Sequence, residues 1–168
     1  MKLEQAHMEF IQTWGAVGSA WGIPRSMAQI HALLLANVEG LSTEDVMEQL
    51  KISRGNVNIN LRELINWGLI NKQNKLGERK EFFKANHHVW EIAKRIIEER
   101  KKREFVPIQN LLRELKKSKI VGKKVDVDHF NKLVAELDEF LAQMDQLSDL
   151  LVKMKDNRFF NQFIKVLR

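Results

Sequence analysis

The apolar residues of the first 67 positions recur at the three- and four-residue spacing that is typical of amphipathic helices. Pro24 favours a helix start, and Ser42 and Ser53 are both suitable N-cap residues. The last two helices are separated only by the turn at residues 51–53, which is short enough to set them at a steep angle. The helices are predicted over residues 3–20, 24–36, 43–50 and 54–67.

Beyond Gly68 the pattern changes to two short extended runs that flank a glycine-containing loop. These runs predict a β-hairpin over residues 69–84. Helical spacing returns at Val89, and Pro107 is expected to kink or break that helix near Phe105. The fold class is therefore predicted to be mainly α with a small β-hairpin.

The most regular apolar pattern of the chain lies in a predicted helix over residues 126–155. Its apolar residues alternate at spacings of three and four, which keeps one side of the helix facing a partner helix. This heptad seam either packs against helices of the same chain or forms a subunit interface, and both can hold at once. The seam, predicted as a dimer interface, consists of Phe130, Leu133, Leu137, Phe140, Met144, Leu147, Leu151 and Met154.

Two helices joined by a tight turn and followed by a hairpin have the order of a winged helix-turn-helix domain. The chain is accordingly divided into an N-terminal scaffold helix over residues 1–22, a winged helix-turn-helix domain over 23–86 and a helical dimerisation region over 87–168. In this arrangement the helix that follows Ser53 is the recognition helix, which enters the major groove of DNA.

The predicted recognition helix has a buried face and a polar face. Val57, Leu61, Leu64 and Ile65 form the predicted buried face. On the other side, arginine can bond guanine, asparagine can bond adenine, and isoleucine can contact a thymine methyl group. The alternative is an ordinary amphipathic helix with a polar surface. The residues predicted to contact DNA are Ser53, Arg54, Gly55, Asn56, Asn58, Ile59 and Arg62.

The loop of the predicted hairpin is rich in basic residues around Gly77. Such a wing reaches the phosphates of a flanking groove and can place one cation in the minor groove. Glu78 and Glu81 leave open the alternative of a solubilising loop. The basic residues predicted to contact DNA from the wing are Lys72, Lys75, Arg79 and Lys80.

Charge is segregated along the chain, whose net charge is +6. Residues 51–84, which include the recognition helix and the wing, carry eight basic and three acidic residues, a net charge of +5. Residues 94–124 carry twelve basic and four acidic residues, whereas residues 125–157 carry three basic and eight acidic ones. The second basic segment is therefore expected to pair mainly with the acidic segment rather than with DNA.

Part of the chain resembles the GbsR/MarR-type transcriptional regulators. The resemblance is carried by GIPRSMAQIHALLL, LSTEDVMEQLKISRGNVNINLRELINWGLI, GERKEFF and VWEIAKRI, and it covers roughly residues 20–115. It implies a winged helix-turn-helix on a homodimer that is formed by N- and C-terminal helices. It also implies binding to an operator in double-stranded DNA, usually as a repressor, with modulation by a small-molecule effector. The groove-reading segment would be residues 53–62 and the wing residues 75–80.

Some members of that family sense choline-like quaternary amines, and aromatic cages bind such cations through cation–π interactions. The tryptophans of this chain lie on apolar faces at helical spacing, which favours core packing over a cage. They are Trp14, Trp21, Trp67 and Trp90.

Other classes of function find little support in the sequence. The chain has no cysteine, its five histidines form no metal-binding pair, and it has neither a glycine-rich phosphate loop nor a GxSxG motif. We therefore expect no enzyme activity, cofactor or metal. Since no apolar stretch could span a bilayer and the first residues do not resemble a secretory signal, we expect a cytoplasmic protein without membrane contact. The alternative function is a winged-helix protein-interaction module whose heptad helix docks another protein.

Overall fold

The computed structural model describes residues 1–153 of the chain. Its mainly helical fold with one small sheet confirms the predicted fold class. The chain divides into two compact units, Met1–Arg95 and the part that begins at Ile96. The helices are α1 (Leu3–Ala20), α2 (Arg25–Ala36), α3 (Thr43–Leu50), α4 (Arg54–Asn66), α5 (Val89–Arg100), α6 (Val106–Lys117) and α7 (Lys124–Lys153). The strands are β1 (Leu41–Ser42), β2 (Ile70–Asn74) and β3 (Glu81–Ala85).

The first four helices lie within one residue of their predicted limits because their ends are encoded locally. The Ser42 hydroxyl accepts a hydrogen bond from the Asp45 N–H at 3.2 Å, and the Asp45 carboxylate accepts one from the Ser42 N–H at 2.8 Å. α3 thus begins in a capping box. Ser53 caps α4 by accepting a hydrogen bond from the Asn56 N–H at 3.4 Å. Pro24 is the N-cap of α2 rather than its first residue, so this helix begins one residue later than predicted.

The predicted hairpin is confirmed, and a third strand extends it. β2 and β3 pair antiparallel, with Ile70 opposite Ala85. β1 pairs antiparallel with the other edge of β3, where Leu41 lies opposite Phe83. A strand of two residues is too short to show an alternating pattern, so β1 is recognisable only from its long-range pairing.

The core of the first unit lies where α2 packs against α4 and the sheet. Ile30 and Leu34 of α2 are completely buried, and Val57, Leu61 and Leu64 of α4 pack in the same core. Complete burial of such a side chain contributes about 1.5–3 kcal/mol. This packing sets the rotation of α4 about its axis and therefore decides which of its side chains reach solvent.

α1 approaches α2 closely at two glycines. A Cβ atom on Gly18 would lie 2.5 Å from the Ala28 Cβ atom, and one on Gly15 would lie 2.5 Å from the Gln29 Cγ atom. Glycine lowers helix propensity by about 1 kcal/mol per residue, yet α1 continues through both positions. The two glycines therefore allow α1 and α2 to pack closely, and this packing offsets the loss of helix propensity in α1.

α6 and α7 pack together in the second unit. Leu112 of α6 forms a small buried cluster with Val134 and Leu141 of α7. Pro107 lies in the first turn of α6, and the predicted interruption of the helix there takes the form of a π-helical turn over Lys101–Phe105. Because proline donates no backbone hydrogen bond, the preceding carbonyls lose their regular partner.

The heptad seam is not what joins α7 to α6. Val134 and Leu141, which are buried, each lie one position after a seam residue. Leu133 and Leu137 are each 42% exposed, and Phe140 is 55% exposed. Packing within the chain therefore uses a neighbouring stripe and leaves most of the seam at the surface. The remaining seam residues are Phe130 and Leu147, which are exposed, Met144 and Leu151, which are partly buried, and Met154, which lies outside the described residues.

Gly18→Ala is expected to destabilise the protein by about 1–3 kcal/mol, because the new methyl group would overlap Ala28 and force α1 away from α2. Urea unfolding followed by circular dichroism measures the change. Gly55→Ala is the matched control, since a Cβ atom there meets nothing within 4 Å. The control should leave stability unchanged or raise it by up to about 1 kcal/mol. Equal effects of the two substitutions would contradict the packing role of Gly18.

His31 is a buried histidine on α2. Only 3% of its surface is exposed, and its Nε2 atom has no hydrogen-bond partner among the described residues. Burial lowers the pKa of His31 from 6.5 to about 4, because the charged imidazolium would lose its hydration. The native protein therefore holds this side chain in its neutral form.

Stability is expected to fall as the pH is lowered through the window from 6.5 to about 4, because there the unfolded chain binds a proton that the folded chain excludes. The loss from this one residue reaches about 3 kcal/mol at the lower end. Urea unfolding at several pH values measures the slope, and His31→Leu should flatten it. His129→Gln changes an exposed histidine and should keep the wild-type slope. An unchanged slope in His31→Leu would show that other groups dominate.

Candidate nucleic-acid interface

α3 and α4 form a helix-turn-helix, and one residue in its turn has an unusual backbone conformation. Lys51 ends α3 in the left-handed region, with φ 54° and ψ 43°. The chain reverses at this residue, and Ser53 then opens α4 two positions later. The tight turn predicted at residues 51–53 is thereby confirmed, and it places the start of α4 beside α3.

α4 exposes the predicted polar face. Gly55 and Arg62 are exposed, Ile59 is 64% exposed, and Asn58 is partly buried at the edge of this face. Ile65, which was expected on the buried face, is only partly buried. The face combines a guanidinium group, an amide and an apolar side chain, and these are groups that can distinguish base edges in a major groove.

The start of α4 is open and contains no acidic side chain. Arg54, Gly55 and Asn56 are all exposed, and no Asp or Glu lies in the first turn. The backbone at Gly55 is bare, because a Cβ atom there would meet nothing within 4 Å. The N–H groups of a first helical turn carry partial positive charge and bind phosphate readily.

Asn56 is oriented by a buried residue that the sequence pattern does not reveal. The Asn60 Nδ2 group donates to the Asn56 Oδ1 atom at 2.6 Å and to its backbone oxygen at 2.8 Å. The same group lies 3.1 Å from the Ser26 Oγ atom of α2. Asn60 is only 7% exposed, so it connects the exposed start of α4 with the core. A polar residue on a buried helix face has no periodic signal, and its role becomes visible only from its contacts.

The four basic residues of the predicted wing lie on or between β2 and β3. Lys72 is ion-paired with Glu81, with 3.0 Å between Nζ and Oε1. The Lys75 Nζ atom lies 4.3 Å from the centre of the Phe82 ring, a cation–π contact that steadies the base of the loop. Arg79 and Lys80 are exposed.

The tip of the wing carries an apolar side chain that the charge pattern did not indicate. Leu76 is fully exposed. It precedes Gly77, whose φ of 83° is the left-handed conformation that glycine adopts most easily. The wing therefore ends in a leucine, with cations on either side of it.

Residues of α4 and of the wing meet at one cleft. Its volume is about 230 Å³, and it lies between the recognition helix and the β2–β3 hairpin. Asn58, Arg62 and Lys72, which the sequence predicted separately, are thus brought to a common surface. The lining residues are Asn58, Leu61, Arg62, Ile65, Lys72, Glu81 and Phe83.

An ion pair connects the starts of the two helices. The Arg54 Nη2 atom lies 2.7 Å from the Glu44 Oε1 atom. A hydrogen bond from the Glu44 backbone, together with the Arg54 side chain, lowers the pKa of the Glu44 carboxyl, and Lys80 adds to this effect. Hydrogen bonds from Ser42 lower the pKa of the neighbouring Asp45 carboxyl. Only the folded turn brings Glu44 and Arg54 together, so no pattern in the sequence indicates Glu44 as a partner of Arg54.

The second basic segment pairs in part with the acidic segment, whereas Arg100, Lys102 and Arg103 pair with Glu104 and Glu99 of their own segment. The Lys101 Nζ atom lies 2.9 Å from Asp145 Oδ1 and 2.6 Å from Asp149 Oδ1, and Lys116 is ion-paired with Asp138. Hydrogen bonds to the two aspartates raise the pKa of Lys101. These contacts occupy cations that could otherwise have extended a DNA-binding surface.

The tryptophans differ in exposure. Trp67 is buried, Trp14 and Trp90 are partly buried, and Trp21 is 57% exposed. The prediction of core packing is therefore wrong for Trp21. Among residues 1–153 there is no group of three side chains that could hold a metal ion. None of the helices within that range has both the length and the apolar character needed to cross a membrane.

The arrangement of helices, hairpin and turn defines a winged helix-turn-helix fold, and a solved structure shares it. The chain is similar to the crystal structure of a transcriptional regulator, with a TM-score of 0.63 and 22% sequence identity over 87% of this chain and 95% of that one. At this identity the likeness establishes the fold alone.

A second structure, a mutant of S. aureus MepR bound to an oligodeoxyribonucleotide, matches at a TM-score of 0.41 and 15% identity over 82% of this chain and 94% of that one. That score is too low to support an inference. No protein-family model and no curated protein matches the chain.

Proposed function

We propose that this protein is a sequence-specific regulator of transcription that binds double-stranded DNA as a homodimer and has no enzymatic activity. In this proposal α4 lies in the major groove and the wing contacts flanking phosphates. The observation that carries the proposal is the exposed face of α4, where Asn58, Ile59 and Arg62 follow an open, acid-free helix start. Of the basic wing residues, Lys72 lines the same cleft as Asn58 and Arg62.

The proposed contacts are of two kinds: contacts to bases, which recognise the sequence, and contacts to phosphates, which position the protein on the duplex. Arg62 would donate to guanine, Asn58 would bond adenine, and Ile59 would contact a thymine methyl group. At the start of α4, the bare backbone of Gly55 would let its N–H group meet a phosphate. The wing lysines and Arg79 would supply affinity that depends on salt but carries no sequence information.

The proposed homodimer is supported by the apolar surface of α7. Leu133, Leu137 and Phe140 are exposed in the single chain, although their regular spacing is that of an interhelical seam. Contiguous exposed apolar residues mark interaction surfaces. A dimer would present two α4 helices to half-sites that are about one helical turn, ~34 Å, apart or a multiple of that distance.

Repression and control by a small-molecule effector are the part of this proposal that follows from the resemblance to GbsR/MarR-type regulators. The first unit has an open cleft of about 360 Å³ where α1, α2 and α3 meet. This volume is within the range of small-ligand sites. The lining residues are Glu4, His7, Met8, Ile11, Leu33, Asn37, Gln49 and Leu50.

Substitutions at reading and positioning residues are expected to have different effects. Arg62→Ala and Asn58→Ala should each reduce discrimination between a selected duplex and random DNA by about 1–3 kcal/mol. Lys75→Ala and Arg79→Ala should weaken binding to both duplexes equally and flatten the slope of log Kd against log salt by about 0.9 per lost contact. Fluorescence anisotropy at several salt concentrations measures both quantities.

The selected duplex in this experiment is the tightest binder recovered by the protein from a pool of random sequences. Lys132→Ala, which removes an exposed cation of α7, is the matched control and should change neither quantity. The proposal of sequence-specific binding fails if no duplex exceeds random DNA by more than about tenfold at physiological salt, since specific ratios are typically ~10³ or more.

Light scattering at micromolar concentration is expected to give twice the mass of one 19.7 kDa chain. Leu133→Glu should shift the protein toward the monomer, because a charge in the seam would be buried without a partner. Leu150→Glu is the matched control, since Leu150 is 61% exposed on the same helix but lies outside the seam. A monomeric wild-type protein would contradict binding to two half-sites.

A second candidate function is a protein-interaction module, and the exposed seam of α7 is the observation that favours it. In that case the seam would dock a helix of a different protein rather than a second copy. This alternative predicts that light scattering finds a monomer and that anisotropy finds no sequence preference for DNA.

A further inference from the structure

Arg54, the first residue of the recognition helix α4, is ion-paired with a residue of α3. Its guanidinium lies 2.7 Å from the Glu44 carboxylate, and the two side chains are 58% and 41% exposed. Glu44 is the second residue of α3 and is not part of the capping box, which uses Ser42 and Asp45. The Glu44 carboxylate accepts a hydrogen bond from its own backbone N–H and also contacts Arg54 at the start of α4.

We propose that Glu44 is a specificity-determining residue that makes Arg54 a reader of bases rather than a binder of phosphate. This inference rests on the proposed function. In it Glu44 stays beside Arg54 when DNA is bound and decides which kind of acceptor the remaining N–H groups of the guanidinium can take.

The physical reason is the difference in charge between the two acceptors. A phosphate that approaches Arg54 also approaches the Glu44 carboxylate, and the two anions repel each other. The O6 and N7 atoms of guanine carry no net charge and are spared this repulsion. Arginine has five N–H donors, so a guanidinium that bonds a carboxylate on one side can still bond a base on the other. Specificity is the difference between the affinity for the correct partner and the affinity for a competing one, and repulsion of the competitor increases it.

The surroundings of the pair make Glu44 the acid that acts at this point. The first turn of α4 has no acid of its own, and Asp45 is held by the N–H and hydroxyl groups of Ser42. Lys80 of the wing lies near enough to contribute to the lowered pKa of the Glu44 carboxyl. Glu44 is thus ionised at neutral pH, is bonded to Arg54 and is close enough to Lys80 to interact with its charge.

The pair has little to do with stability of the fold. Ion pairs between exposed side chains contribute weakly because water and salt screen them. The substitution Glu44→Gln should therefore fold normally and change binding instead. Glu48→Gln is the matched control, because it removes the same charge from an exposed position of the same helix, one turn further on.

The experiment measures Kd for a random-sequence duplex and for the tightest duplex selected from a random pool, by anisotropy at several salt concentrations. Relative to Glu48→Gln, Glu44→Gln should bind the random duplex about five times more tightly and the selected duplex less than about twofold more tightly, so specificity falls. For random DNA, the slope of log Kd against log salt should steepen by about 0.9, because Arg54 in this variant contacts a phosphate.

A double-substitution cycle shows whether Glu44 acts through Arg54. With Gln in place of Arg54, Glu44→Gln should have no more effect than Glu48→Gln. Arg54→Gln alone should weaken binding to the selected duplex at least about fivefold and leave binding to random DNA within about twofold. This last measurement leaves α3 untouched, so it tests the inference even if Glu44→Gln disturbs that helix.

Equal effects of Glu44→Gln and Glu48→Gln on both duplexes would overturn the inference. A parallel loss of affinity for both duplexes would also overturn it and would make Glu44 only a support for the Arg54 side chain. If the wild-type protein itself shows no preference for any duplex, the proposed function fails first. The two failures are therefore distinguishable.

Discussion

The burial of one stripe of α4 against α2 is the constraint on which the rest of the surface depends. Val57, Leu61 and Leu64 fix the rotation of the helix, and a shift by one residue would turn every side chain by about 100°. The hydrogen bond between Asn60 and Ser26 reinforces this choice, because another rotation of α4 would break this side-chain hydrogen bond between the Asn60 amide and α2. The core thus selects the side chains that face outward, although none of its own atoms needs to touch a ligand.

The N-termini of α3 and α4 differ in the charge of the side chains around them. α3 has Glu44 and Asp45 in its first turn, where negative charge is favourable, and it begins in the capping box of Ser42 and Asp45. α4 begins with a serine cap and no acid, which leaves its positive end uncompensated apart from the neighbouring ion pair. One terminus is therefore optimised for stability, and the other keeps the potential that an anion can use.

Features that depend on neighbouring residues could be predicted from the sequence, and features that depend on tertiary contacts could not. Helix limits followed from the caps at Ser42 and Ser53 and from apolar spacing, and the wing followed from the runs around Gly77. β1 escaped prediction because it exists only through pairing with β3. The Glu44–Arg54 contact escaped for the same reason, since two exposed charges ten positions apart carry no periodic signal. The spacing on α7 predicted a seam, and only the packing of the neighbouring stripe showed that Leu133, Leu137 and Phe140 stay at the surface.

The exposed seam has a thermodynamic consequence for the second unit. Within residues 96–153, the described part of this unit, the buried cluster is small and consists of Leu112, Val134 and Leu141. If two copies join along the seam, the free energy of association becomes part of the stability of this unit. The temperature of unfolding would then rise with protein concentration, and dilution would loosen the α6–α7 pair before it affected the first unit. The stability of the second unit would then depend on how much of the protein is present.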